Sequence, residues 1–386
     1  MKKKIFYWSP YLSPVGTVIS TINSSVSLSY YSNEYQVSLI NVCGEWDNFK
    51  SDLIKKNVHV IDLGFKYFKF LPKEGFLQSR FSYLVIFLIS FFPLLFLLKK
   101  NKPDFIIVHL ITSLPILIFK LFTLKTNLVL RISGMPILNY TRKKLWQICS
   151  TKIKFVTCPT LELKKKLIKL NIIKREKIFY LPDSVINITE FKRQIKTKNI
   201  FKDIFHKDFK IFLAAGRLTK QKNFKYLINE FNKFSLENKN YRLVIFGDGE
   251  EYSDLKKQIK KNNLLNSIFL LGRVDNILKY MKDADAFILS SKWEEMGFVI
   301  IEAALSNLFI ISSNCPNGPS EFLNYGKNGI LFDNNKKDAL YKSLVKFDKL
   351  DNSLKIKDCL KIKKNSLNFT KFRHYKKLRH ILNLAY

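Results

Sequence analysis

The sequence predicts an α/β protein of two doubly wound, Rossmann-like domains facing an interdomain cleft. Its 386 residues exceed the roughly 250 to 300 at which one hydrophobic core stops growing. Short runs rich in Ile, Val and Phe alternate with longer segments of helical period, the pattern of βαβ units and parallel sheets. That alternation occurs twice, on either side of a polar, Lys-rich stretch running from about Asp183 to Lys207.

Strands are expected over residues 3–9, 36–42, 58–62, 104–109, 127–132 and 154–158 in the first half. In the second half they are expected over 209–215, 241–247, 267–271, 285–289, 308–312 and 329–332. The expected boundaries are a first domain over 1–185, a linker over 186–207 and a second domain over 208–368. Residues 369–386 have a helical pattern that can cross back to the first domain. Open parallel sheets take ligands at the carboxyl ends of their strands, so the site is expected where the two domains face one another.

The formal charge is +35, from 66 basic and 31 acidic residues. Such a chain repels itself and attracts polyanions, either nucleic-acid phosphates or anionic lipid. Abundant Lys, Asn, Ile and Phe beside little Ala and Gly also match an AT-rich coding sequence, which accounts for part of the excess. Cys43, Cys149, Cys158, Cys315 and Cys359 show no metal-ligand spacing and no disulfide framework, as expected of a reduced cytoplasmic protein. The basic start meets Ser9 and Pro10 after a few apolar residues, so it reads as a first strand and not a signal peptide.

Phe81 to Leu98 is long and apolar enough to cross a bilayer, and it is bounded by Arg80, Lys99 and Lys100. The strand-like runs before and after it belong to one sheet, which a crossing would split. A buried or half-inserted helix, kinked at Pro93 and with its cations at headgroup level, is the expectation.

Two segments carry chemistry. Glu294 and Glu302 stand eight positions apart after the strand ending at Leu289, with Gly297 placed to open the next helix. The amino terminus of that helix would present free N–H groups to phosphate or sugar oxygens. Two carboxylates at different depths can hold different hydroxyls of one extended ligand, and Glu302 stands among Ile300, Ile301, Ala303 and Ala304, unlike a solvated helix face. In Ala214-Ala-Gly-Arg-Leu-Thr-Lys-Gln-Lys, Gly216 allows a tight turn at a strand end. Arg217 offers a planar fork and Lys222 a point charge, together suited to a diphosphate.

These segments, with Phe246-Gly-Asp-Gly-Glu, Leu271-Gly-Arg, Asn317-Gly-Pro-Ser-Glu and Gly326-Lys-Asn-Gly, resemble the GT-B retaining glycosyltransferases, specifically glycosyltransferase family 4. The resemblance implies a GT-B fold and transfer of a hexosyl or N-acetylhexosaminyl group from a nucleotide-sugar, UDP- or GDP-linked, with retention. It implies no cofactor and no metal, since cations and helix dipoles neutralise the leaving group. Arg217 and Lys222 would bind the donor diphosphate, Glu302 the ribose hydroxyls, and Glu294 would face the donor sugar as the catalytic carboxylate. Gly216, Gly247, Gly297 and Phe298 fall in the donor motifs. Gly16 stands where the family often carries a glycine pair, with Val15 replacing the other glycine.

In the first domain, His109 ends a strand at the cleft rim. Arg131 and Ser133 stand where many relatives have a histidine near the acceptor. The acceptor implied is a glycan or lipid-linked glycan of bacterial surface polysaccharide such as O-antigen, lipopolysaccharide or capsule. Helices containing Arg142-Lys-Lys-Leu-Trp146 and Leu163-Lys-Lys-Lys set cations beside apolar residues. If they share a face with residues 81–98, the protein sits peripherally on the anionic cytoplasmic surface of the inner membrane.

A nicotinamide enzyme would need GxGxxG after its first strand, and Ser9-Pro-Tyr-Leu-Ser-Pro-Val-Gly does not supply it. A nucleic-acid-binding protein would explain the charge, but no such module is recognisable and the cations are spread over many helices, so no nucleic-acid partner is expected. A non-catalytic GT-B scaffold is the remaining alternative, against which the four intact residues Arg217, Lys222, Glu294 and Glu302 stand.

Overall fold

The computed structural model describes all residues except 1, 11–15, 67–70, 72–75, 110–112, 137, 197–199 and 206–208. The chain divides into two compact units. The first comprises Met1–Ser184 with Lys371–Tyr386, and the second Val185–Thr370.

The first unit holds seven parallel strands: β1 (Lys3–Trp8), β2 (Tyr35–Asn41), β3 (Val58–Asp62), β4 (Phe105–His109), β5 (Asn127–Arg131), β6 (Ile153–Cys158) and β7 (Ile178–Tyr180). Their order is β3-β2-β1-β4-β5-β6-β7, so winding reverses between β1 and β4. Successive strand residues point to opposite faces, and here both faces are buried. Phe6, Trp8, Ile106, Val108, Leu128 and Leu130 face one core, packed with helices Phe76–Asn101, Ser113–Leu121, Tyr140–Cys149 and Leu161–Lys169. Ile5, Tyr7, Phe105, Ile107 and Val129 face the other core, which takes helices Gly16–Tyr31 and Lys371–Asn383.

The second unit has six parallel strands: β8 (Lys210–Ala215), β9 (Tyr241–Phe246), β10 (Ile268–Leu270), β11 (Ala286–Leu289), β12 (Phe309–Ser313) and β13 (Ile330–Phe332). Their order, β10-β9-β8-β11-β12-β13, reverses between β8 and β11.

Two expectations are corrected. Residues 186–207, read as a linker, are part of the second unit and contain helices Ile188–Gln194 and Ile200–Phe205. Ile186 and Phe201 are buried in its core, and apolar anchoring outweighs the polar composition that suggested a tether. Trp146, expected beside the basic helix face, is 1% exposed and packs inward.

The helix Phe76–Asn101 is neither wholly buried nor free. Ile86, Leu94, Leu95 and Leu98 enter the first core, whereas Phe81, Leu84, Leu88, Phe92 and Phe96 are exposed.

A buried polar network fastens the Gly16–Tyr31 and Lys371–Asn383 helices to the sheet. Arg131 of β5 donates to the Leu181 carbonyl (2.6 Å) and to Asp183 (2.7 Å), and Ser20 donates to the same carboxylate (2.5 Å). Ser24 joins the Tyr7 hydroxyl (3.0 Å) to His374 Nε2 (2.9 Å), and His374 Nδ1 lies 2.7 Å from the Pro182 carbonyl, which places the ring proton on that nitrogen. The serines of the first helix, poor helix formers in isolation, are thus satisfied inside the fold.

Removing one partner of a buried ion pair leaves the other charge uncompensated. Asp183→Ala is expected to destabilise the first unit by about 3–5 kcal/mol in denaturant titration. Burial chiefly lowers the His374 pKa from 6.5 to about 4, with Arg131 adding to the effect. A folded-state pKa below the unfolded one contributes stability that is complete above pH 6.5 and is lost as pH falls towards 4. Thermal melts of wild type should fall more steeply across that window than those of His374→Gln.

Candidate functional site

The reversal between β8 and β11 opens the second sheet at its carboxyl edge, and the loops leaving these two strands carry Arg217, Lys222 and Glu294. Their shape begins with glycine. The Gly216 N–H donates to the Phe246 carbonyl (3.0 Å), the Leu218 N–H to that of Asp248 (2.9 Å), and the Gly247 N–H to that of Gly272 (2.8 Å). Gly247 has a φ of 149°, and a Cβ there would lie 1.9 Å from the Gly216 carbonyl oxygen. The Phe246-Gly-Asp-Gly element therefore seats the Arg217 loop, and the close approach to Gly216 requires a glycine at 247. Leu271-Gly-Arg supports it from behind.

The two loops are stitched together. The Lys292 N–H donates to the Gln221 carbonyl (2.8 Å), Gln221 Nε2 to that of Trp293 (2.9 Å), and Ser290 Oγ to that of Lys222 (2.8 Å). Across this seam Lys222 Nζ forms an ion pair with Glu294 Oε1, with side chains 15% and 7% exposed. Ser291 Oγ donates to the same oxygen (2.7 Å). The Ser291 carbonyl in turn accepts from Ser313 Oγ (2.6 Å) and Asn334 Nδ2 (2.9 Å). Cys315 is buried nearby, its thiol pushed up to about 11, first by burial and further by the Glu294 charge.

Gly297 caps the next helix from the left-handed region (φ 72°, ψ 78°), a conformation that favours glycine. Phe298, half-buried, is the first residue of helix Phe298–Leu305, whose third N–H, that of Ile300, donates to the Gly297 carbonyl (3.0 Å), while the N–H groups of Phe298 and Val299 have no acceptor within the helix. Glu302 stands on the same helix, half-buried, and burial pushes its carboxyl up to about 7. Arg217 is exposed; its carbonyl accepts from the Thr219 N–H (2.9 Å), while its guanidinium has no hydrogen-bonding or ionic partner among the described residues.

Arg217, Lys222, Glu294 and the Gly297-capped helix thus share the loops of one sheet edge. The pairing of Lys222 with Glu294, and the support from Ser291, Ser313 and Asn334, were not read from the sequence. Ser290-Ser291 directly after a strand end was the one local signal available.

In the first unit, His109 ends β4 and pairs in register with Arg131 of β5. His109 is 2% exposed. Burial first, then the positive Arg131 and the adjacent His374, holds its pKa well below the usual value, so the ring is neutral. Arg131 is committed to Asp183 and Leu181, which answers the expectation of an acceptor contact with a structural ion pair. His109 Nδ1, Arg131 Nε and Ser133 Oγ are nonetheless buried without hydrogen-bond partners among the described residues. Gly16 opens helix Gly16–Tyr31 with nothing within 4 Å of a Cβ built on it, and the rest of its loop, 11–15, lies outside the described residues.

Because the Gly216–Gly247 approach leaves no room for a methyl group, Gly247→Ala should cost about 2 kcal/mol or more in chemical denaturation, as overpacking does. Gly16→Ala, with open space, should change stability by less than about 0.5 kcal/mol.

Residues 195–369 match the family model described as Glycosyl transferases group 1. An uncharacterized glycosyltransferase of Methanocaldococcus jannaschii is 30% identical over 272 residues, 62% of this chain and 66% of that one. A Campylobacter jejuni protein named GalNAc-alpha-(1->4)-GalNAc-alpha-(1->3)-diNAcBac-PP-undecaprenol alpha-1,4-N-acetyl-D-galactosaminyltransferase is 27% identical over 343 residues, covering 86% and 87% of the two chains. The chain spans 66%, 38% and 50% of the lengths of the first three curated relatives it matches. Among solved structures, a Rickettsia africae glycosyltransferase superposes with a TM-score of 0.77 at 17% identity, covering 99% and 98% of the chains. HepE of Anabaena, in complex with UDP, gives 0.74 at 16% identity over the whole of both. The fold is that of the GT-B glycosyltransferases, and the family-model match lies within the second unit.

Proposed function

We propose that the protein is a retaining glycosyltransferase of the family 4 type, moving a hexosyl or N-acetylhexosaminyl group from a UDP- or GDP-sugar to a lipid-linked or polysaccharide acceptor. The observation that carries this reading is the Lys222–Glu294 pair beside the free cation of Arg217, at the reversal of the second sheet. Arg217 binds a donor phosphate through its fork, and Lys222 supplies the second positive charge as the nucleoside diphosphate leaves. Glu302 takes the ribose hydroxyls. Glu294 orients the donor sugar, and its contacts with Lys222 and Ser291 hold it in place. The incoming hydroxyl attacks from the side the nucleotide leaves, and the leaving phosphate oxygen accepts its proton, so one face of the anomeric carbon is used throughout. No metal ion and no cofactor enter this reading.

The Campylobacter jejuni relative, whose name specifies a PP-undecaprenol acceptor and which aligns over most of both chains, supports a lipid-linked acceptor. We place the reaction in bacterial surface-polysaccharide synthesis at the cytoplasmic face of the inner membrane.

The test is nucleotide-dependent thermal stabilisation followed by turnover. UDP or GDP should raise the melting temperature of wild type, since a ligand held only by the native state stabilises it. Glu294→Gln should lower turnover by about 100-fold or more, as loss of one preorganised electrostatic contact does. Arg217→Ala should lower both turnover and the nucleotide shift. Undiminished turnover in either variant would remove the assignment.

A further inference from the structure

The helices packed on one face of the first sheet form a layer of unusual composition. Helices Phe76–Asn101, Ser113–Leu121, Tyr140–Cys149 and Leu161–Lys169 together contain eleven Lys and Arg and a single acid, Glu162. That carboxylate is already paired with Lys166 at 2.7 Å. Lys99, Lys100, Lys120, Lys143, Lys144 and Lys165 are exposed.

The same layer shows apolar side chains to solvent. Phe81, Leu84, Leu88, Phe92 and Phe96 recur at three- and four-residue spacing, which sets them on one side of the long helix. They are 55–65% exposed. Leu121 (59%) and Ile148 (55%) are exposed on the next two helices of the layer. At the end of the long helix, Lys99 continues the apolar side and its ammonium lies 5.1 Å from the centre of the Phe122 ring. A run of bare Phe and Leu is costly in water, and a single-sign rim is costly beside another basic protein.

We infer that this helical layer is a docking surface for an anionic lipid bilayer, with helix Phe76–Asn101 lying in the membrane plane. Its exposed apolar side enters the acyl boundary while the surrounding lysines meet headgroup phosphates. Length and composition alone would let residues Phe81–Asn101 span a bilayer. The fold opposes spanning. Ile86, Leu94, Leu95 and Leu98 on the same helix are built into the core, and the strands before and after it, β3 and β4, belong to one sheet. Only the outward side is available to lipid. This inference deepens the proposed function by supplying the surface on which a lipid-linked acceptor is met, and it rests on that reading for its biological purpose alone.

The full chain should cosediment with vesicles of equimolar phosphatidylglycerol and phosphatidylcholine and much less with phosphatidylcholine alone. Leu88→Ser/Phe92→Ser/Phe96→Ser should bind the anionic vesicles roughly 10-fold more weakly, since each lost apolar contact removes burial. Lys143→Glu/Lys144→Glu should weaken binding in a salt-dependent way. Both variants should keep the wild-type melting temperature and UDP- or GDP-induced shift, which separates lost docking from lost folding. Equal sedimentation of wild type and the triple variant, or of anionic and neutral vesicles, would overturn the surface. Resistance to alkaline carbonate extraction would overturn the in-plane geometry in favour of spanning. A dimer that the triple substitution converts to monomer would assign the face to a second copy instead. Vesicle binding without a nucleotide shift would instead count against the transferase reading and leave the docking surface standing.

Discussion

Much of the second unit's architecture converges on the ion pair between Lys222 and Glu294. Two charges at 15% and 7% side-chain exposure lose most of their hydration, and their attraction offsets that loss only when the remaining oxygens and protons are also satisfied. The satisfaction comes from Ser291, which Ser313 and Asn334 hold by its carbonyl, and from the seam that joins the two loops. Behind them Gly216 and Gly247 bring two strand ends into backbone contact. A bound phosphate would compete with Glu294 for the ammonium, so this carboxylate and a ligand are coupled through one cation. The exposed Arg217 escapes that competition and can meet a phosphate first.

The first unit is organised around a different solution to the same problem. Arg131 ends a central strand in a buried position, its guanidinium donates to Asp183 and the Leu181 carbonyl, and Ser20 donates to the same carboxylate. The network draws in His374 from a helix some 190 residues later in the chain than Pro182, so polar burial here specifies which helix covers the sheet. Hydrophobic packing alone, through Tyr375, Leu378, Ile381 and Leu382, would accept many apolar helices.

The strands were legible because parallel sheets covered on both faces need near-continuous Ile, Val and Phe, and runs such as Phe105-Ile-Ile-Val have no other plausible home. β7 escaped notice because it has three residues, Ile178-Phe-Tyr, directly after Arg175, Glu176 and Lys177. The helices inside 186–207 escaped because Ile186 and Phe201 are separated by lysines, and their burial depends on a partner surface that periodicity does not report. At the site, residue types and loops were readable from Gly216, Arg217, Gly297 and Glu302. The Lys222–Glu294 pairing was not, because it spans 72 residues and arises only when β8 and β11 become neighbours. The commitment of Arg131 to Asp183 was hidden for the same reason.

The covering of the first sheet by Lys371–Asn383 bears on the order of events at the ribosome. Val185–Thr370 is made before that helix, yet it is this helix that contributes Tyr375, Leu378, Ile381 and Leu382 to one of the first unit's two cores. The amino-terminal unit therefore leaves the exit tunnel with one sheet face only partly covered, by helix Gly16–Tyr31, and at about 5–20 residues per second that face waits on the order of ten seconds or more for its second helix. The second unit, contiguous in sequence, has no such wait. The nascent chain passes through a stage with one finished domain and one sheet face still lacking its second helix, the period in which that apolar surface is most accessible.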